Sequence, residues 1–215
     1  MIEKPRVFGA AYSVYVRIVR LTLVEKGVDY DLVPIDIFAS DGPPPAYLER
    51  HPFGRIPAFE HNGFRLYETG AVTRYADDVF DGPKLQPADV RERTRCNQLM
   101  SIADNYAYPT LVWSIYVERI SKPAKGATAD EATIAAALPK ARICLKAMSD
   151  IMGTAPWLAG ETISLADLYA APMFDYFLVA PEGREMIRQY DNLAGWWARI
   201  AARPSMKETQ PIHMD

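Results

Sequence analysis

The chain has 215 residues, 49% of them hydrophobic and 24% charged, with a formal net charge of -3 and a pI near 5.7. That composition excludes disordered and collagen-like classes, and the absence of a Lys/Arg excess argues against nucleic acid as a partner. No apolar stretch approaches the ~20 residues of a membrane span, and the start MIEKPRVFG lacks a signal-peptide pattern, so the expectation is a cytoplasmic protein with no membrane partner. Cys96 and Cys144 lie far apart in helix-like stretches, without CxxC spacing or a companion His. They read as small buried hydrophobes, and no metal is expected.

Residues 6 to 9 form a short apolar run, followed over 13 to 26 by Val16, Val19, Leu23 and Val24 at helical spacing before Gly27. This predicts a strand, then a helix with a glycine stop. Alternation over 28 to 35 predicts a second strand, parallel to the first in a βαβ unit. After the proline-laden stretch DGPPPAYLERHPFGRIP, the Asn62-Gly63 pair between apolar runs predicts an antiparallel hairpin. Ala71, Val72, Tyr75, Ala76 and Val79 then share one helical face, completing a βαβ-ββα order by about residue 80.

The segment 81 to 89, DGPKLQPAD, breaks the pattern as a linker does. Beyond it the periodicity is helical throughout, over about 90–121, 129–152, 165–178, 183–190 and 192–202. Pro109, Pro139 and Pro172 fall inside those spans and predict kinks or splits. The domain reading is therefore 1–80, a linker 81–89, and an all-helical 90–215.

Three features can carry chemistry. Ser13 sits where strand one meets helix one, and its hydroxyl either caps the helix or donates to a ligand. Ile56-Pro57 precedes a strand, where a cis X-Pro bond would turn the backbone of Ile56 toward a ligand peptide, although a trans proline opening a strand serves equally. Glu68-Thr69 opens the third helix, where free amides favour an anion and Glu68 can hold an ammonium group; ordinary capping by Thr69 is the alternative. Together they describe a site for a small zwitterion with a peptide backbone. Farther on, Ser164 and Asp167 have capping-box spacing, which makes Asp167 structural. Trp157, Trp196 and Trp197 read as packing residues.

The array Ser13-x-x-x-Arg17 before Glu25-Lys26-Gly27, then HPFGRIP, then Glu68-Thr69, resembles the glutathione transferases, most closely the serine-using phi and theta types. WLAGETISLADL (157–168) and NLAGWWARIAARPS (192–205) are similar to that family's second domain, so the resemblance spans nearly the whole chain. It implies an α/β thioredoxin-like domain that binds glutathione as co-substrate, an all-α domain contributing the electrophile pocket, and a homodimer. Pro57 would be the cis proline, Ile56 would pair with the cysteinyl main chain, Glu68 and Thr69 would hold the γ-glutamyl end, and Arg55 would touch the tripeptide. Thr69 stands where serine is usual. Gly42 and Pro43 replace basic residues near the glycyl carboxylate, for which His51 and Arg55 are candidate substitutes; His51 also reads as a turn residue.

The implied reaction transfers the glutathione thiolate to a small apolar electrophile, with Ser13 donating to the sulfur and Tyr12 and Tyr15 as rival donors. Tyr12, Tyr108, Trp113 and Tyr116 are candidates for the electrophile wall, with Tyr106 in the same cluster; aromatics at this spacing also suit a core. A non-catalytic glutathione carrier, or a glutathione-dependent peroxidase or disulfide reductase, are the alternatives.

Overall fold

The computed structural model describes residues 3–40 and 42–211. They form two compact units, Met1–Leu85 together with Pro204–Asp215, and Gln86–Arg203.

The first unit runs β1 (Arg6–Phe8), α1 (Val14–Glu25), β2 (Asp31–Val33), α2 (Pro45–Leu48), β3 (Ala58–His61), β4 (Phe64–Tyr67) and α3 (Thr69–Val79). Its sheet has the order β2-β1-β3-β4. β1 and β2 are parallel, while β3 is antiparallel to both β1 and β4. The hairpin turns through Asn62 and Gly63 at φ 50° and 76°, the positive angles that a two-residue turn between twisted strands requires. Val16, Val19 and Leu23 of α1 and Val72 and Ala76 of α3 pack with Val7, Phe8 and Phe59 of the sheet in one core. Burying such aliphatic side chains stabilises by roughly 1.5–3 kcal/mol each.

Three buried cations hold later segments of the chain to this unit. Lys26 Nζ donates to Asp77 Oδ1 at 3.2 Å and to the Pro83 carbonyl at 3.0 Å, and the same Asp77 oxygen accepts from the Leu85 amide. The start of the segment read as a linker is thereby held down. Arg17 donates to the Met206 carbonyl at 3.1 Å, and Arg20 to the Thr209 carbonyl at 3.3 Å. The sequence reading ran the helical domain on to residue 215, but these bonds attach α10 (Pro204–Glu208) to α1 of the first unit.

The second unit is helical: α4 (Val90–Ile102), a π-helix (Ala103–Ser121), α5 (Lys122–Ala124), α6 (Glu131–Met152), α7 (Leu165–Phe177), α8 (Pro181–Ile187) and α9 (Asp191–Ala201). Asp89 caps α4 by accepting from Arg91 and Glu92 amides at 2.9 and 3.0 Å. α7 is buried on nearly every side, as a central helix must be. None of the three prolines splits the helix that contains it. Pro139 continues α6, because the Ala135 carbonyl it deprives of a partner lies on the exposed face. Pro109 lies inside the π-helix, which continues through it. Pro172 continues α7 in a buried setting, for which the structure offers no evident compensation.

Asp167 anchors this unit. It is fully buried and accepts from the amides of Leu158 and Ser164, the Ser164 hydroxyl and Trp196 Nε1, at 2.8 to 2.9 Å. Burial pushes its carboxyl up, and the four donors pull it back. Cys96 and Cys144 are both buried, and burial raises the Cys144 thiol.

Candidate functional site

Strand direction gathers the predicted residues at one end of the first unit's sheet. β1 and β4 both run antiparallel to β3, so β1 and β4 end, and β3 begins, on the same side. α1 and α3 each start there, presenting two sets of first-turn amides that lack in-helix partners. Ligands of open α/β sheets bind beyond the carboxyl ends of strands.

Gly9 ends β1 and lets the layers meet: a Cβ there would lie 2.4 Å from Val16 Cγ2 and 3.2 Å from Ile56 Cβ. The loop leading to Ser13 and the segment holding Ile56 are therefore in direct contact. Ser13 is the N-cap of α1, accepting from the Val16 amide at 3.4 Å. Capping uses an acceptor lone pair and leaves the O–H to donate. The two roles weighed for Ser13 are thus compatible, and its O–H has no partner among the described residues.

Ile56-Pro57 is cis. Both residues are buried, yet the Ile56 N–H and C=O make no hydrogen bond among the described residues. Buried main-chain groups are seldom left unpaired. Arg55 is exposed, and its carbonyl accepts from the Tyr47 hydroxyl at 2.7 Å.

Glu68 opens α3 at φ 69°, ψ 110° with no side-chain cap bond. That conformation is costly for a non-glycine residue, of order 1–3 kcal/mol, and such outliers cluster at ligand sites. The Glu68 carboxylate is exposed and unpaired among the described residues, beside the buried Thr69. A free carboxylate next to free helix amides and a hydroxyl can hold a group bearing both an ammonium and a carboxylate.

His51 proves to be a turn residue. Its carbonyl accepts from the Gly54 amide, and its ring is buried beside Tyr67 at 5.0 Å, with Nδ1 unpartnered. Burial holds its pKa below the ordinary value, Glu68 opposing and Arg55 reinforcing the shift. The imidazole is neutral at pH 7, which leaves Arg55 the cationic candidate for a glycyl carboxylate. Tyr12 is half-buried, and burial together with Asp36 pushes its phenol up.

In the second unit the aromatic candidates divide. Tyr108 and Trp113, five residues apart on the π-helix, meet edge to face at 6.4 Å, and Tyr116 packs on Tyr176 at 4.5 Å. None of the three is buried; Trp113 is 45% exposed. Tyr106 lies apart, lining a groove of about 820 Å³ with Pro109, Ala136 and Lys140. The sequence reading, which placed Tyr106 with the others, missed the π winding that turns it away. It also missed α2 and Tyr47, for which the proline-rich stretch gives no periodic signal. Among the described residues there is no group of three or more His, Cys, Asp or Glu arranged to hold a metal, and no helix long and apolar enough to cross a membrane.

Comparison with known proteins agrees with this architecture. The glutathione S-transferase N-terminal domain model matches residues 7–84, and the C-terminal domain model residues 99–204. Glutathione S-transferase F9 of Arabidopsis thaliana is 33% identical over 88% of each chain. Among solved structures, glutathione transferase F7 from Populus trichocarpa superposes with TM-score 0.84 at 27% identity, covering 95% of this chain and 97% of its own. Glutathione S-transferase I from maize, in complex with an atrazine glutathione conjugate, gives 0.84 at 26% identity over 96% of both chains. With both domain models matched in order and the sheet, helices and strand-end cluster in place, the chain belongs to the glutathione S-transferase family.

Proposed function

We propose that this glutathione transferase joins the glutathione sulfur to small apolar electrophiles, with the Ser13 hydroxyl stabilising the thiolate. The observation that carries the reading is the backbone of Ile56, whose N–H and C=O are unpaired in a buried segment that contacts the Ser13 loop through Gly9. A cysteinyl main chain paired there extends the sheet by one short strand and brings its thiol toward Ser13. Glu68 takes the γ-glutamyl ammonium, Thr69 and the first α3 amides take its carboxylate, Pro57 shapes the bend, and Arg55 meets the glycyl end. Tyr108, Trp113 and Tyr116 are the residues of the second unit that we propose to meet the electrophile. The maize relative's atrazine glutathione conjugate supports a product of this kind.

In the step itself the thiol proton leaves to solvent and a sulfur lone pair forms the S–C bond; where the electrophile carries a leaving group, that group departs with its bonding pair. A free thiol has a pKa of about 8.5, so the site must favour the anion. The Ser13 O–H and the positive end of α1 both do so. We further place the protein in the cytoplasm as a homodimer, a state supported by its family.

The test is a pH titration of thiolate ultraviolet absorbance for glutathione bound to the wild-type protein, paired with an aryl-halide conjugation assay. A bound-thiol pKa below the free value, with turnover, is expected. Binding with an unmoved pKa and no turnover would leave a glutathione carrier instead.

Glu68→Gly separates strain from binding. Glycine accepts φ 69° without a Cβ penalty, so stability should rise by roughly 1 kcal/mol in a denaturant melt. Glutathione affinity measured by calorimetry should fall about tenfold or more, because a charge-assisted bond of roughly 1.5–3 kcal/mol is lost. A stability gain with unchanged affinity would remove Glu68 from the site.

A further inference from the structure

Tyr47 has no role in the chemistry above, yet it is bonded to the stretch of backbone that the reading depends on. It lies on α2, buried to 3% exposure, and its ring belongs to the sheet core beside Ile56 and Ala58. Its hydroxyl donates to the Arg55 carbonyl at 2.7 Å. The phenol oxygen thereby fixes the residue just before the Ile56-Pro57 dipeptide, whose other end enters β3 at Ala58. Between those two points Pro57 has no N–H and the Ile56 polar groups are unpaired among the described residues. The hydroxyl is the polar contact that fixes the height and direction of the Ile56 backbone.

We propose that Tyr47 is a positioning residue for glutathione: its hydroxyl clamps the Arg55 carbonyl, one residue before Ile56, and so holds the Ile56 N–H and C=O in register for the cysteinyl main chain. The inference rests on the proposed pairing at Ile56. The clamp is available throughout the working pH range, since burial pushes the phenol up to about 12. Pre-ordering an edge in this way lowers the entropy cost of binding without touching the reacting sulfur.

The test is Tyr47→Phe, which keeps the ring in its core position and deletes only the oxygen. Losing one such bond corresponds to roughly a three- to tenfold effect. That loss should appear as a raised KM and Kd for glutathione, with kcat at saturating glutathione within about twofold and the bound-thiol pKa unmoved. Amide hydrogen exchange at Ile56 should quicken in the free protein. A melting temperature that drops while Kd and Ile56 exchange stay at wild-type values would overturn the positioning role and leave Tyr47 as ordinary core. If the wild-type protein itself shows no glutathione binding, the pairing at Ile56 falls, and the clamp falls with it.

Discussion

Ser13→Ala should raise the pKa of the bound glutathione thiol by one to two units and cut turnover at pH 6.5–7 by roughly ten- to a hundredfold, each unit being worth about 1.36 kcal/mol. The sign follows from which form the hydroxyl favours. A donor stabilises the thiolate, so its removal moves the pKa toward the free value of about 8.5 and shrinks the thiolate fraction at neutral pH. The deficit should close as pH rises, with the two proteins converging above about pH 9 where both are ionised. Affinity for glutathione should change little, since the proposed contacts to the tripeptide are at Ile56, Glu68 and Thr69. A parallel pH-rate profile in the mutant, displaced only in height, would count against the serine mechanism.

Because Ser13 also accepts from the Val16 amide, the alanine variant loses a helix cap and about 1 kcal/mol of stability. Ser13→Asp uncouples the two effects. Aspartate caps as well as serine and adds favourable charge at a helix N-terminus, so this variant should melt no lower than the wild-type protein. Yet it offers no donor and sets a negative charge beside the sulfur, so its bound-thiol pKa should exceed that of Ser13→Ala. If stability alone governed turnover, the aspartate variant would be the more active of the two.

Much of this site was legible because its determinants are local. The β1-α1-β2 order follows from a change of hydrophobic period, the hairpin from Asn62-Gly63, the start of α4 from the end of the 81–89 segment, and the Ser164–Asp167 box from its spacing. What stayed hidden depends on contacts remote in sequence or on winding that period cannot resolve. Arg17 reaches Met206 across 189 positions, and no local pattern announces that a buried guanidinium will cap the carbonyls of a distant segment. At ordinary helical spacing Tyr106 and Trp113, seven apart, share a face, whereas on the π-helix Trp113 meets Tyr108 and Tyr106 lines the α6 groove. Tyr47 was hidden among prolines, its hydroxyl bond to Arg55 being a matter of fold and not of spacing.

Asp167→Asn should destabilise the protein by roughly 3 to 5 kcal/mol without altering the pKa of the bound thiol. The carboxylate takes two donors on each oxygen: the Leu158 amide and Trp196 Nε1 on Oδ1, the Ser164 amide and hydroxyl on Oδ2. An asparagine of the same shape has only one acceptor oxygen. Whichever way its amide is turned, its NH₂ faces two buried groups on the other side. The Ser164 hydroxyl can rotate to accept, but an amide and an indole cannot, so at least one donor is left unsatisfied at about 1–3 kcal/mol and the charge-assisted character of the rest is lost. Against a total stability of order 5–15 kcal/mol, this should lower the urea midpoint substantially while the protein still folds in the cold. Below its melting point the variant should bind glutathione with the wild-type thiol pKa, because Asp167 serves the start of α7 and its junction with Trp196, whereas the proposed donor to the thiol is Ser13. A shifted thiol pKa in a fully folded Asp167→Asn protein would instead give that carboxylate a part in the chemistry.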